Sequence, residues 1–275
     1  MELGSTIWFN QIANTSAVAN SPSQSSDNRS LSRGLEILRA FKPGIDVLVN
    51  SELADRTGLP KSTVSRLTGT LVRAGFLQHD VRVGGYRLHA TVLALAYAMR
   101  SGSFILQQAH DELEKASRQL NVNVGLAIAD HDDMIYLDTL RFGPNASLRK
   151  VVSGQRVPTA LTSLGRAYIS TQHDEALHAL MHRLKLRHAR DWHRVRPEIE
   201  HSVNELHQSG VCIVSWQPRV VAIAAPIVFE NEPVHVLNMS LYTDLELGTI
   251  KENLATPLLD LRDRIVSIIA AASTQ

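Results

Sequence analysis

The sequence has little cysteine and no long apolar run. Its 275 residues include one cysteine, Cys212, so no disulfide can form within the chain. A lone thiol fits a reducing compartment, and no segment reaches the roughly 18–20 consecutive apolar residues of a membrane span. Residues 1–28 contain no lysine or arginine and therefore lack the basic start of a signal peptide. We expect a cytoplasmic protein with no membrane partner.

Positive charge is concentrated in one part of the chain. The whole sequence has a net charge of +1, but residues 29–100 carry eleven Lys and Arg against five Asp and Glu. Such a basic surface attracts polyanions, because binding releases their condensed counterions. Charge therefore favours a nucleic acid as partner, with a solvated basic surface as the alternative.

Residues 29–90 begin with the pattern of two helices. Four apolar residues keep the spacing of one buried helical face, namely Leu31, Leu35, Leu38 and Phe41. A second, shorter helix begins near Asn50 or Ser51, either of which has a side chain suited to capping it, and buries Leu53 and Ala54. Residues 1–28, rich in Ser, Asn and Gln, are predicted to form a flexible tail.

A third helix and a hairpin complete this segment. Pro60 suits the first turn of the third helix, because the N–H that it lacks is not needed there. The inward residues of this helix are Val64, Leu67 and Leu71. Two strand-like pieces, 76–78 and 86–88, follow it, and Gly84-Gly85 between them allows a tight turn. Three helices and a β-hairpin indicate a winged helix-turn-helix.

The outer face of the third helix has the character of a DNA-reading surface. It carries small polar and basic residues, namely Lys61, Ser62, Thr63, Ser65, Arg66, Gly69, Thr70 and Arg73. Arg66 suits a bidentate contact with guanine in the major groove. Phosphate contacts are predicted for Lys61, Arg73, Arg82 and Arg87. The alternative for each residue alone is a solvated surface side chain.

The remaining residues indicate a linker and an α+β domain. Residues 91–120 have a helical pattern that 101–103 divides in two. Strands are predicted at 122–128, 211–214, 220–229 and 234–241, and more loosely through Leu148, Lys150 and Val152. Helices are predicted at 160–171, 174–186, 196–209 and 249–272. We therefore expect a DNA-binding domain at 29–90, linker helices at 91–120 and a second domain at 121–275.

Several segments resemble the IclR family of bacterial transcription regulators. The motifs are SLSRGLEIL at 30–38, ELADRTGLPKSTVSRL at 52–67, LVRAGFL at 71–77, GYRL at 85–88, PTALTSLGRA at 158–167 and VAIAAP at 221–226. The resemblance extends over about residues 29–270. It implies a GAF-like effector-binding domain, a homodimer or dimer of dimers, a pseudo-palindromic operator in double-stranded DNA, and control of a catabolic operon. It implies no cofactor.

The resemblance also implies the residues of an effector pocket. They are Thr162, Ser163, Leu164, Gly165, Ala222, Asn238 and Ser240. Free N–H groups at a helix start near Thr162 suit a carboxylate, and the hydroxyl and amide groups suit its orientation. The loop 215–219 is about two residues shorter than is usual in the family. Trp216 within it is interpreted as a packed surface residue, with a contact of Trp216 and Arg219 to an aromatic or anionic ligand as the alternative. The expected effector is a small carboxylate, and the resemblance of residues 237–240 to family members that respond to aromatic acids and ring-cleavage products adds aromatic catabolites as one candidate class.

Two other functions stay open at this point. A dimeric DNA-binding protein without an effector needs a smaller second domain than these 155 or so residues provide. An enzyme acting on small carboxylates is disfavoured, because no nucleophile elbow or phosphate loop occurs. His178 and His182 are four residues apart, but no metal-binding motif surrounds them, so no metal is expected. The sequence does not distinguish a repressor from an activator.

Overall fold

The structure is a computed structural model that describes residues 28–141 and 152–272. The chain divides into two compact units, with the boundary between Tyr97 and Ala98. This boundary lies inside the predicted linker, and the predicted domain limits remain predictions. All of the predicted tail except Asn28 lies outside the described residues, as do Leu148 and Lys150. Val152 is described and is not in a strand.

The first unit contains three helices and a two-stranded antiparallel sheet, as predicted. The elements are α1 (Arg29–Arg39), α2 (Asn50–Thr57), α3 (Lys61–Arg73), β1 (Leu77–Asp80) and β2 (Gly85–Leu88), followed by the start of α4 (Ala90–Gly102). The core joins all three helices to the hairpin through Ile37, Leu53, Val64, Leu67 and Leu77. Gly84, with a φ of +68°, supplies the left-handed residue of the hairpin turn.

The prediction of the buried face of α1 was wrong at two positions. Leu31 and Leu35 are 61% and 50% exposed, whereas Ile37 is fully buried and Ala40 is 8% exposed. The apolar residues of this helix cover one broad side, from Ala40 through Ile37 and Leu38 to Leu31 and Leu35, so a spacing of three to four residues fits either edge of that side. Positions 35 and 37 are about 200° apart at about 100° per residue. The face that meets α2 and α3 is the one centred on Ile37.

The start of α2 also differs from the prediction. Neither Asn50 nor Ser51 caps the helix, because both lie within its first turn. The capping position is occupied by Val49, and its backbone N–H donates to the Glu52 carboxylate over 2.9 Å. The carboxylate of Glu52, the third residue of the helix, thus accepts the backbone N–H of Val49, and no polar capping side chain is present.

The second unit is a six-stranded antiparallel sheet with helices. Its helices are the end of α4, α5 (Phe104–Leu120), α6 (Ser163–Ile169), α7 (Asp174–Arg187), α8 (Trp192–Ser209) and α9 (Leu247–Ala272). Its strands are β3 (Asn123–Asp130), β4 (Asp133–Leu140), β5 (Arg156–Pro158), β6 (Cys212–Gln217), β7 (Val220–Ile227) and β8 (His235–Tyr242). The spatial order is β5-β4-β3-β8-β7-β6. The α+β architecture is confirmed, while β4 and β5 were not predicted.

Helices pack on both faces of this sheet. One core contains Leu113 of α5, Leu126 of β3 and Leu258 of α9. The other contains Tyr136 of β4 and Leu164 of α6. Among the described residues, none of the helices has the length and apolarity that crossing a membrane would take. The second core surrounds the candidate site described next.

Candidate functional site

The outer face of α3 is accessible as predicted. Val64 and Leu67 are buried, which fixes the rotation of the helix. Six of the predicted DNA-contacting residues are exposed, namely Lys61, Ser62, Ser65, Arg66, Thr70 and Arg73, and Thr63 is half-buried. No carboxylate among the described residues pairs with Lys61 or Arg66. Both cationic groups are therefore available to an anionic partner.

The two predicted phosphate contacts of the hairpin differ in their surroundings. Arg87 donates to the buried Asp80 carboxylate, with Nη2 2.7 Å from Oδ2. This hydrogen bond lowers the pKa of Asp80, which also accepts the backbone N–H of Arg82 over 3.0 Å. The side chain of Arg82 is exposed. A phosphate would have to compete with Asp80 for Arg87, but not for Arg82.

The second unit contains a small, partly open cavity of about 90 Å³, here called the inner cavity. Six of the seven predicted effector residues line it, namely Thr162, Ser163, Leu164, Ala222, Asn238 and Ser240. The other lining residues are Asn123, Tyr136, Gln155, Val157, Trp216, Gln217, Val220, Leu241 and Tyr242. No charged side chain belongs to this set. The described lining therefore combines apolar and aromatic surface with neutral hydrogen-bonding groups.

Tyr136 is a lining residue that sequence reasoning missed. Its hydroxyl accepts a hydrogen bond from Nδ2 of Asn238 over 3.2 Å. Burial raises the pKa of Tyr136 to about 12, so the phenol keeps a proton to donate. A Cβ atom on Gly125 would lie 2.5 Å from the Tyr136 ring. An isolated glycine within an alternating strand was the sequence signal of this close approach.

The hydroxyl groups of Thr162 and Ser163, at the start of α6, differ in their hydrogen bonding. Thr162 donates its hydroxyl to the carbonyl of Pro158 over 2.8 Å and accepts the N–H of Gly165 over 3.2 Å. Its hydroxyl therefore caps the helix. The buried Ser163 hydroxyl has no hydrogen-bond partner among the described residues. An unsatisfied buried hydroxyl is costly unless a ligand or water completes it.

Gly165 does not line the inner cavity. A Cβ atom at this position would lie 2.0 Å from the carbonyl oxygen of Thr159. The glycine thus lets α6 pack directly on the backbone that precedes it. The structure gives Gly165 an architectural role at the site instead of a surface for a ligand.

Neither a metal site nor a reactive thiol is apparent in the described residues. These residues contain no group of three or more His, Cys, Asp or Glu side chains arranged to hold a metal ion. His178 and His182 are exposed on α7. Burial raises the pKa of Cys212 to about 12, so its thiol stays protonated.

Two family models match the two units. Residues 30–81 match the IclR helix-turn-helix domain, and residues 98–247 match the model of the bacterial transcriptional regulator IclR C-terminal domain. The second match alone covers more than half of the chain. The chain belongs to the IclR family.

Individual relatives agree with this assignment. The Pca regulon regulatory protein of Pseudomonas putida is 28% identical over 255 residues, which is 89% of this chain and 81% of that protein. The crystal structure of an IclR family transcriptional regulator from Brucella abortus has 31% identity and a TM-score of 0.79, covering 86% of this chain and 91% of that one. The structure of an IclR homologue from Microbacterium hydrocarbonoxydans complexed with 4-hydroxybenzoate shares the fold, with a TM-score of 0.66 and 19% identity over 88% of this chain and 98% of that chain.

These matches decide between the functions that the sequence left open. IclR family members of known function are DNA-binding transcriptional regulators. This chain is accordingly a DNA-binding transcriptional regulator with an effector-binding domain, and the prediction of a regulator instead of an enzyme is confirmed.

Proposed function

We propose that this IclR family regulator controls a catabolic operon in the cytoplasm in response to a small carboxylate, with aromatic acids as the favoured class. The observation that carries the effector assignment is the inner cavity, where Ser163 offers an unpartnered buried hydroxyl and Tyr136 a free phenolic proton. Operator DNA contacts the exposed face of α3, with Arg66 reading bases and Arg82 contacting phosphate.

The lining of the inner cavity supports an aromatic acid. Trp216 and Tyr242 offer aromatic surface, and Leu164 and Ala222 offer apolar surface. Neutral donors suit a carboxylate in a site of low polarity, as hydrogen bonds to a charged group are about twice as strong as those between neutral groups. The 4-hydroxybenzoate bound by the Microbacterium homologue is an acid of this class.

A dimer is proposed from the exposed apolar surface of α4. No residue of this helix is buried, even though it carries several large apolar side chains. Leu93 is 73% exposed, Leu95 55% and Tyr97 72%. Leu93 and Tyr97 are four residues apart and share one side of the helix, whereas Leu95 lies about 200° around it from Leu93. Exposed apolar surface of this kind is typical of a protein interface. A second copy is the natural partner, since a two-fold dimer matches a pseudo-palindromic operator.

Effector binding is tested by thermal unfolding with 4-hydroxybenzoate. A ligand at about 100 times its dissociation constant should stabilise the protein by about 2.7 kcal/mol. Ser163→Ala should weaken the binding by about 2- to 12-fold, because one hydrogen bond contributes about 0.5–1.5 kcal/mol. Ser170→Ala is the matched control, since this hydroxyl only donates to the backbone of Ala167. If no aromatic or aliphatic acid stabilises the protein, the effector-free alternative gains support.

A charged cluster connects strand β4 to the end of α4. The Arg100 guanidinium donates to the carbonyl of Leu137 and to Oδ1 of Asp138, the latter over 3.2 Å. His110 of α5 contacts Oδ2 of Asp138 over 2.8 Å. Burial raises the pKa of Asp138, but the His110 hydrogen bond and the charge of Arg100 outweigh this effect and lower it overall. Because β4 also carries Tyr136, a shift of this strand on effector binding would reach α4 directly.

We expect Arg100→Ala to reduce the coupling between effector and operator. Operator affinity without effector, and effector affinity without DNA, should change little, whereas the factor by which effector alters operator affinity should approach one. That factor is typically about 5–150. Arg264→Ala is the control, because it removes an ion pair between Arg264 of α9 and Glu112 of α5, in which no residue of β4 takes part. Unchanged coupling in Arg100→Ala would exclude this route while leaving effector binding intact.

A further inference from the structure

A second, larger cavity lies beside the inner cavity in the same unit. This outer groove has a volume of about 750 Å³ and lies between α8, β6 and the start of α9. Its lining residues are Leu161, Arg166, Arg194, Pro197, Glu198, His201, Ser202, Glu205, Ile213, Val214, Ser215, Trp216, Leu247, Gly248 and Lys251. Of the described residues that line the two spaces, Trp216 alone belongs to both. Its side chain is half-buried and packs against the core that contains Leu164.

A backbone irregularity places Trp216 at this position. Strand β6 is at the edge of the sheet and pairs only with β7. The pairing shifts between Val214, opposite Ala222, and Gln217, opposite Val220. Two residues of β6, Ser215 and Trp216, therefore stand opposite Val221 alone. Such bulges redirect side chains next to functional sites.

For an aromatic acid to occupy the inner cavity, one of the cavity walls has to move. The cavity volume of about 90 Å³ is well below the roughly 300–1,000 Å³ of pockets for small organic ligands. Tyr242 is a poor candidate for the moving wall, because the Arg219 guanidinium lies 4.4 Å from the centre of its ring and pairs with Asp244. Displacement of Trp216, on an edge strand beside open space, would join the two volumes.

We infer that Trp216 is the wall between the inner cavity and the outer groove, and that its side chain sets the size of the acid that the regulator accepts. The displaced indole moves toward the groove, and the ligand takes the space that it leaves. A single-ring acid needs a small displacement, and a longer acid needs the indole to move further. The identity of the ligand class rests on the proposed function, but the role of Trp216 as a wall does not.

The first test measures access to the inner cavity without any effector. A thiol is introduced by Ser163→Cys in a Cys212→Ala background, and its reaction with N-ethylmaleimide is followed. Trp216→Ala should accelerate the reaction by about tenfold or more. Without the indole, access of the reagent to the thiol does not depend on a transient opening of the cavity. Trp192→Ala is the matched control, since Trp192 is also half-buried and lines neither space. Equal labelling rates with and without Trp216, in variants that circular dichroism shows to be folded, would overturn the inference.

The second test measures ligand size. The dissociation constants of 4-hydroxybenzoate and of the two-ring biphenyl-4-carboxylate are compared. Trp216→Ala should shift their ratio by about tenfold or more toward the longer acid, because one methylene group in an apolar pocket already changes selectivity by about 10–200-fold. An unchanged ratio would contradict the role in size selection. Binding of neither acid to any variant would refute the proposed aromatic ligand, and the labelling rates would still decide the role of Trp216.

Discussion

Replacing Arg66 with alanine is expected to reduce operator affinity by about 5- to 150-fold, because a bidentate arginine–guanine contact contributes about 1–3 kcal/mol of discrimination. Arg66 is exposed on α3, and no described carboxylate pairs with it. Affinity for random DNA should fall much less, so the ratio of specific to non-specific binding should decrease. Fluorescence anisotropy with labelled operator and random duplexes measures both affinities.

The wing provides the matched control for Arg66. Arg82→Ala should weaken binding to every sequence similarly and reduce the slope of log affinity against log salt by about one. The side chain of Arg82 is exposed, and its backbone N–H bond to Asp80 does not depend on the side chain. If both variants lost the same factor on operator and on random DNA, the division into base and phosphate contacts would be refuted.

Replacing Gly165 with alanine is expected to destabilise the second unit by about 3 kcal/mol or more, at the upper end of the usual cost of overpacking. The added Cβ would lie 2.0 Å from the oxygen and 2.2 Å from the Cα of Thr159. These are backbone atoms, and a rotamer change cannot relieve the clash. The melting temperature should fall by roughly 6–12 °C, at about 2–4 °C per kcal/mol for a protein of this size.

Gly248→Ala in α9 is the control, because it replaces a helical glycine with alanine without creating a clash. A Cβ atom at Gly248 would meet nothing within 4 Å, so the substitution should leave stability unchanged or raise it by up to about 1 kcal/mol. Comparable melting temperatures for Gly165→Ala and the wild type would show that α6 does not pack on Thr159 as described.

The winged helix was predictable from sequence because its signals are local. Pro60, Gly84 and the apolar spacing of α3 each act within a few residues, although Pro60 is at the capping position before α3 and not in its first turn as predicted. The rotation of α1 was not predictable, since apolar residues at the two edges of its apolar side compete and only the packing against α3 selects Ile37 over Leu35. Both edges have the same helical spacing of apolar residues, and only the edge with Ile37 packs against another helix.

The inner cavity was predictable only in part. The resemblance led to six lining residues, but it did not lead to Tyr136, which is on a strand that was not predicted. Strand β4 lacks simple alternation, since the inward Asp138 is stabilised there by Arg100 and His110 from distant helices. Trp216 was interpreted as a surface residue because the bulge that turns it toward the cavity depends on the pairing of β6 with β7.

The outer face of α3 is proposed to contact base edges in the major groove. Methylation interference at guanine N7 tests this contact most directly, using DNA from the vicinity of the gene. We predict that methylation of particular guanines blocks binding of the wild type, and that Arg66→Ala loses sensitivity at one guanine of each half-site. Interference that is absent for the wild type, or identical in the two proteins, would contradict the claim.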